Sequence, residues 1–100
     1  MNDLNFDYET LMKAIDTYGR DLQLNQVIQE CAELIQACSK TIQKGTTNDK
    51  NMLEEVADVY IMLEQLKIMF KFLTEEAIQK VIDEKIKRLK ERLEKVPKQQ

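Results

Sequence analysis

The scarcity of helix-breaking residues is the feature that most constrains the fold of this chain. Its 100 residues include only two glycines and one proline, Pro97, which lies almost at the C-terminal end. Leu, Ile, Lys, Glu and Gln, which all tolerate helices, dominate the rest. Because 43% of the residues are hydrophobic, the chain can also bury a core. We therefore predict an all-α protein with one helical domain over residues 1–96 and a frayed tail over residues 97–100.

Glycines and capping residues divide the chain into four predicted helices. These span about residues 8–18, 21–44, 50–72 and 75–95. Gly19 and Gly45 directly follow the first two helices, where glycine commonly ends a helix. Asp21 and Thr74 are the predicted N-caps of the second and fourth helices, because their side chains can accept a hydrogen bond from a free backbone N–H group.

The charge and hydropathy of the chain bear on its location and partners. The formal net charge is −3, so the molecule lacks the basic field that binds DNA or RNA by counterion release. No apolar run approaches the roughly 20 residues that span a bilayer, and the N-terminus does not have the basic-then-apolar pattern of a signal peptide. We expect no nucleic-acid partner, no membrane partner and a cytoplasmic location.

The two cysteines, Cys31 and Cys38, lie seven residues apart in the second predicted helix. This spacing places them on one face but too far apart along the axis for an ordinary disulfide. Two thiolates without any histidine in the chain also make a poor zinc site. We predict that both are reduced thiols in the core.

Apolar residues recur every three or four positions in the second helix and form one stripe, as in an amphipathic helix. That stripe comprises Leu24, Val27, Ile28, Cys31, Leu34, Ile35, Cys38 and Ile42. The third helix differs because it is apolar nearly all round, and three other helices can hardly cover it on every side. We predict an obligate oligomer; the alternative is a three- or four-helix monomer with an exposed Met and Ile patch.

Two pairs of acidic residues, each spaced at i and i+3, lie in the middle helices. They are Glu30 with Glu33, and Glu55 with Asp58. Any single pair is most simply explained as solvated surface charge, although residues spaced in this way project from the same side of a helix. The first residues of the pairs lie about 100°, and the second residues about 160°, to the same side of their helices' apolar stripes. If the helices pack antiparallel, the four carboxylates should line the edge of one groove.

Four carboxylates in one groove would raise one another's pKa and destabilise the fold unless a cation neutralised them. Oxygen ligands without histidine favour a hard ion, Mg²⁺ first and Mn²⁺ second. Because protein-bound Mg²⁺ usually keeps waters and recruits substrate phosphates, we expect a phosphate-bearing substrate.

Basic residues on one flank of the fourth helix are candidates for binding that phosphate. They are Lys85, Arg88, Arg92 and Lys95. The alternative is ordinary: cations near a helix C-terminus interact favourably with its dipole, and three glutamates of the same helix are available as partners. Lys85 and Arg88 are the stronger candidates because they lie nearest the apolar stripe.

The acidic motifs and their surroundings resemble those of the MazG-like all-α nucleoside triphosphate pyrophosphohydrolases. The match comprises Glu-x-x-Glu in "QECAELIQACSK" and Glu-x-x-Asp in "NMLEEVADVYIMLEQL", and the similarity covers roughly residues 20 to 92. The resemblance implies a helical bundle of about four helices per chain, completed by association into a homodimer or homotetramer. It also implies Mg²⁺-dependent hydrolysis of a nucleoside triphosphate to the monophosphate and pyrophosphate, with removal of noncanonical or deoxy nucleotides as one role.

The resemblance further assigns residue roles. Glu30, Glu33, Glu55 and Asp58 would bind the metal, and Glu33 is the leading candidate to orient or deprotonate the attacking water. Lys85, Arg88 and Arg92 would contact phosphates, and Gln23 and Gln26, on the flank of Glu30, would touch the base or ribose. The chain departs from the family in having no tryptophan to stack on a base, so the base preference stays open.

Three other functions stay open. The chain could be a non-enzymatic helical interaction protein whose acids only increase solubility. It could be a relative of the all-α dUTPases or the phosphoribosyl-ATP pyrophosphatases, which share the carboxylate arrangement. It could also keep the MazG-like fold and bind nucleotides without cleaving them.

Overall fold

A computed structural model describes residues 4–97, which form four α-helices and no strands. The helices are α1 (Tyr8–Tyr18), α2 (Arg20–Lys44), α3 (Asp49–Met69) and α4 (Glu75–Glu94). The predicted all-α class is confirmed. Within the described range, none of the helices combines the length and the apolar character that a membrane span requires. Residues 98–100, most of the predicted frayed tail, lie outside the described residues.

The chain divides into two compact units, Met1–Phe70 and Lys71–Gln100. The first unit contains α1, α2 and α3. In it α2 packs mainly against α3, and α1 contacts both. The second unit contains α4.

Two glycines end the first two helices, as predicted. Gly19 adopts a φ of 85°, and its N–H donates to the carbonyl oxygen of Ile15 at 2.8 Å. Gly45 lies in the left-handed region at a φ of 72°, and its N–H donates to the carbonyl oxygen of Thr41 at 2.9 Å. Side chains at both positions would be strained, because residues with a Cβ rarely adopt such φ values.

Side chains cap the N-termini of α3 and α4. The Asn48 Oδ1 accepts a hydrogen bond from the backbone N–H of Asn51 at 3.2 Å. The Thr74 Oγ1 accepts one from the N–H of Ala77 at 3.1 Å, which confirms Thr74 as the cap of α4. Each bond satisfies one of the N–H groups that a helix start leaves without a partner.

The structure corrects two helix ends. Gly19, not Asp21, occupies the N-cap position of α2, and Asp21 lies in the first turn, where it pairs with the Arg20 Nε at 3.1 Å. A carboxylate in the first turn still interacts favourably with the helix dipole, which explains why acid and cap are easily confused in a sequence. The third helix ends at Met69 instead of residue 72.

The face on which α2 and α3 meet is displaced by one residue from the predicted apolar stripes. The buried residues are Gln23 and Ala37 of α2 and Met62 and Gln65 of α3. The predicted core residues Ile28, Ile35 and Ile42 are instead 66%, 67% and 83% exposed. One residue is about 100° around a helix, so the contact face matches the predicted stripe of α2 only in part. Leu24, Val27 and Leu34 of that stripe are half-buried. The side that carries Ile28, Ile35 and Ile42 is left on the outside of the first unit.

The fourth helix carries an apolar stripe as well, but none of its residues is buried. Its large apolar residues from Val81 onward are exposed: Val81, Ile82, Ile86, Leu89 and Leu93. The two cysteines have no disulfide within the described range. Cys31 is half-buried and Cys38 is exposed, so the predicted core position is wrong for Cys38.

Candidate metal centre

Four carboxylates converge between the two central helices. Glu30 and Glu33 come from α2, and Glu55 and Asp58 come from α3. One carboxylate oxygen of each residue lies within 4.8 Å of the corresponding oxygen of every other, and all four residues are half-buried. The predicted convergence is confirmed. Their position differs from the prediction, because they lie on the contact face of α2 and α3 instead of at the edge beside an apolar stripe.

The antiparallel hairpin of α2 and α3 sets the register of these residues. Gly45 turns the chain at the end of α2, and Asn48 caps α3 three residues later. In the resulting register, α2 and α3 proceed in opposite directions from the turn. The carboxyl group of Glu30 interacts with that of Asp58, and the carboxyl group of Glu55 interacts with that of Glu33. The i and i+3 spacing on each helix is therefore matched residue by residue across the interface.

Two glutamines of α2 support its carboxylates. The Gln26 Nε2 donates to the Glu30 Oε2 at 2.6 Å, and the Gln29 Nε2 donates to the Glu33 Oε2 at 3.4 Å. The other oxygen of Glu30, Oε1, is buried and has no hydrogen-bond partner among residues 4–97. Burying an oxygen of this kind without a partner is costly, and a bound cation would supply the missing interaction.

The electrostatics of the cluster favour protonation of two of its acids or the binding of a cation. Burial raises the pKa of Glu30 above its ordinary value of 4.5, and the charges of Asp58 and Glu33 add to the rise. Burial likewise raises the pKa of Glu55, with further contributions from Glu33 and Asp58. In the described part of the chain, neither of the two salt bridges reaches any of the four acids. Like charges are thus close together without a basic side chain to neutralise them.

Glu64 shows how the same helix satisfies a half-buried carboxylate with protein groups alone. Its Oε1 accepts a hydrogen bond from the Tyr8 hydroxyl at 2.9 Å, and the Lys67 Nζ lies 3.3 Å from its Oε2. Among residues 4–97, no salt bridge to the four clustered acids is seen. Glu64 is thus neutralised by groups of the protein itself, whereas the four clustered acids are suited to binding an added ion.

The donor set fits Mg²⁺ or Mn²⁺. Hard divalent cations prefer oxygen ligands, and Mg²⁺ takes six of them in an octahedral arrangement. The cluster offers one oxygen from each of its four residues. Water or phosphate oxygens would complete the coordination shell. The residues present are therefore chemically suited to the ion that the sequence predicts.

The predicted base or ribose contacts, Gln23 and Gln26, lie on the same face of α2 as the acids. With Tyr18 and Leu22 they line a surface cavity of about 410 Å³. Gln23 is only 7% exposed. Both residues are placed where a molecule extending from the acid cluster toward the N-terminus of α2 would meet them.

Sequence reasoning missed Gln65. This α3 residue is 3% exposed, and its Oε1 is buried without a hydrogen-bond partner in the described residues. It lies seven residues after Asp58 and hence on the same face of α3. An uncharged polar residue at that spacing from a site acid was the available signal.

The basic flank of α4 is described by itself, since α4 forms the second unit. Lys85, Arg88, Arg92 and Lys95 do share one face, where with Glu91 they line a shallow groove of about 400 Å³. Their clustering is confirmed. Contact between these residues and a phosphate stays a prediction.

Comparisons with profiles of known protein families, with curated proteins and with solved structures found no match to this chain. The resemblance to the MazG-like enzymes therefore depends on the acidic motifs, their surroundings and the geometry of the cluster.

Proposed function

We propose that this protein is a Mg²⁺-dependent nucleoside triphosphate pyrophosphohydrolase that releases a nucleoside monophosphate and pyrophosphate. The observation that carries the proposal is the convergence of four half-buried carboxylates within 4.8 Å. The orphaned oxygen of Glu30 supports it, because that atom needs a positive partner. A cytoplasmic location, where nucleotide pools are available, belongs to the same proposal.

The residues of the cluster have distinct proposed roles. Glu30, Glu33, Glu55 and Asp58 would hold the ion, which when bound would polarise the phosphate oxygens and lower the pKa of water. Glu33 would in addition orient the attacking water and accept its proton. The water oxygen bonds to the α-phosphorus as the bond to the pyrophosphate oxygen breaks. Gln26 and Gln29 keep the α2 carboxylates in place through their hydrogen bonds.

Other residues bind the remaining parts of the substrate. Lys85, Arg88 and Arg92 bind phosphate oxygens of the substrate. Gln23 and Gln26 contact the nucleoside from the cavity that they line. The binding of the nucleoside to uncharged amides is consistent with a chain that has no tryptophan.

The active form is proposed to be a homodimer or homotetramer. Ile28, Ile35 and Ile42 repeat every seven residues, which places them on one face of α2, and all three are at least 66% exposed. On α3, Leu53 and Leu63 are 71% and 46% exposed. Large apolar side chains on two adjacent helices form the kind of surface that a second copy of the chain would cover.

The test is product analysis with a panel of nucleoside triphosphates and Mg²⁺. We expect monophosphate and pyrophosphate, with no diphosphate, and we expect EDTA to stop the reaction. Glu55→Gln and Asp58→Asn should each lower kcat/KM by about 100-fold or more, because each removes a charged metal ligand. Glu91 and Glu94 form a further i and i+3 acidic pair, on α4 and outside the cluster. Glu94→Gln is therefore the matched control and should retain the wild-type rate. Unchanged rates in the two cluster variants would refute the proposal.

A second candidate function is favoured by the exposed apolar residues of α2, α3 and α4. In this alternative the chain is a non-enzymatic helical assembly protein, and its acids serve solubility. The two functions differ in their response to Mg²⁺. A metal site predicts that Mg²⁺ raises the melting temperature, whereas an assembly protein should show the same small change with any salt of equal ionic strength. A nucleotide-binding protein without catalysis would be stabilised but would release no product.

A further inference from the structure

The second polar cluster on the contact face of α2 and α3 consists of amides. Gln23 is 7% exposed and Gln65 is 3% exposed, yet the only buried apolar residues described are Ala37 and Met62. Glutamine is seldom buried unless its amide is fully hydrogen-bonded. The Oε1 of Gln65 is both buried and without a partner in residues 4–97. A hydrogen-bond acceptor is therefore held in the interface at a cost to stability, which calls for an explanation.

The register of the helices places the two buried amides at the same level of the α2–α3 pair. Glu30 opposes Asp58, and Glu33 opposes Glu55. Because the helices are antiparallel, a residue before Glu30 in α2 lies opposite the residue that follows Asp58 by the same number of positions in α3. Gln23 precedes Glu30 by seven residues and Gln65 follows Asp58 by seven, so the two glutamines lie at the same level. Both glutamines are seven residues, or about 10 Å, from the acids on their own helices. The amide level is thus separated from the acid cluster by two helical turns.

This separation matches the layout of a nucleotide. When phosphates are bound at the acids, the sugar and base extend along the groove for a distance of this order. The cavity lined by Gln23 and Gln26 lies in that direction, and its volume of about 410 Å³ is within the range of small-molecule sites. Nucleobases present N–H donors and carbonyl or ring-nitrogen acceptors along their edges, and primary amides complement both.

We propose that Gln65 is a specificity-determining residue, whose side-chain carbonyl accepts a hydrogen bond from an N–H group of the substrate's nucleobase. The inference rests on the proposed function. It adds that the nucleobase is recognised and that Gln65 recognises it. The terminal torsion of a glutamine is soft, so the carbonyl turns toward a donor without a shift of α3. Gln23, at the same level, presents its own amide to the base from the cavity wall.

The experiment compares two substrates that differ at the N–H donor. The wild-type enzyme is first assayed with the common nucleoside triphosphates, and the best substrate is then paired with its analogue methylated on the ring N–H or dimethylated on the exocyclic amino group, which removes the donor. The enzyme should prefer the parent nucleotide by about tenfold or more in kcat/KM. In Gln65→Leu this preference should disappear, because kcat/KM for the parent falls while that for the analogue does not. Gln36→Leu, at an exposed position of α2, should keep the preference.

The outcomes separate this inference from the function on which it rests. If the wild type cleaves no nucleotide, the proposed function fails and the inference fails with it. If it cleaves nucleotides but Gln65→Leu retains the full preference for the parent, only the inference is overturned. Removing an unpaired buried amide should leave stability unchanged or raise it. Gln65→Met, with an unbranched side chain of similar length, repeats the measurement and excludes an effect of side-chain shape.

Discussion

Replacing Glu30 by glutamine should change stability in opposite directions with and without Mg²⁺. The substitution preserves the size of the side chain and an acceptor for the Gln26 amide, but it removes one of four clustered charges. Two unit charges 4.8 Å apart repel by about 3 kcal/mol at an effective dielectric constant of 20 and by about 1 kcal/mol in water. Because Glu30 is half-buried and its surroundings are screened by solvent, we expect a net gain of about 1 kcal/mol in the metal-free variant. For a chain of this size, that gain raises Tm by about 4–8 °C.

Magnesium should reverse the order of the two proteins. At a free Mg²⁺ concentration 100 times its Kd, the wild type gains about 2.7 kcal/mol, because the ion binds only the folded state. Glu30→Gln loses a charged ligand and should gain little. Thermal melting followed by circular dichroism, in EDTA and in Mg²⁺ at constant ionic strength, measures both effects, and Glu94→Gln should behave as the wild type does. The reasoning is refuted if Mg²⁺ stabilises Glu30→Gln as much as the wild type.

Four further predictions follow from the same structure. Since the folded-state pKa values of Glu30 and Glu55 are raised, their contribution to metal-free stability is fully present below pH 4.5 and is lost as the pH rises through the folded values. Because Mg²⁺ binds the deprotonated acids, the increase in Tm that it causes should grow as the pH rises above 4.5. Melting curves from pH 4.5 to 8 test this, and a Mg²⁺ effect that does not depend on pH would contradict it. Ile35→Glu should lower the mass measured by light scattering from that of an oligomer to that of one chain, and a wild type that is already monomeric would oppose the proposed assembly. Asn48→Ala should destabilise the fold by about 1 kcal/mol in urea unfolding because it removes the cap of α3, whereas an unchanged midpoint would argue against that cap. Arg88→Ala should raise KM for nucleotide with little change in Tm; an unaltered KM would remove it from the phosphate site.

The sequence predicted the helices because their signals are local. Gly19, Gly45 and Thr74 act through backbone conformation and hydrogen bonds within a few residues, and all three end or start helices as predicted. Asp21 was assigned wrongly because a cap and a first-turn acid both satisfy the same end of a helix. Local patterns therefore give the elements with an error of one or two residues at their ends.

The buried face was harder to predict because it depends on what each helix packs against. Periodicity finds the most apolar side of α2, and that side carries Ile28 and Ile35. Within one chain, however, α2 meets α3 through the neighbouring side, which carries Ala37 and the acids. The four carboxylates are nevertheless predicted correctly, because the same offset on both helices brings them together when the helices meet through the side that carries them. Gln65 is not predicted, because its one signal, the seven-residue spacing from Asp58, has meaning only once Asp58 is known to lie on the contact face.

Anomalous diffraction from crystals of the protein soaked in Mn²⁺ tests the central claim most directly. Mn²⁺ replaces Mg²⁺ at oxygen sites and identifies itself by its scattering. We expect a peak between α2 and α3, with oxygens of Glu30, Glu33, Glu55 and Asp58 at about 2.0–2.3 Å from it. Saturating Mn²⁺ that leaves no peak among these carboxylates, or that binds only elsewhere, would contradict the account.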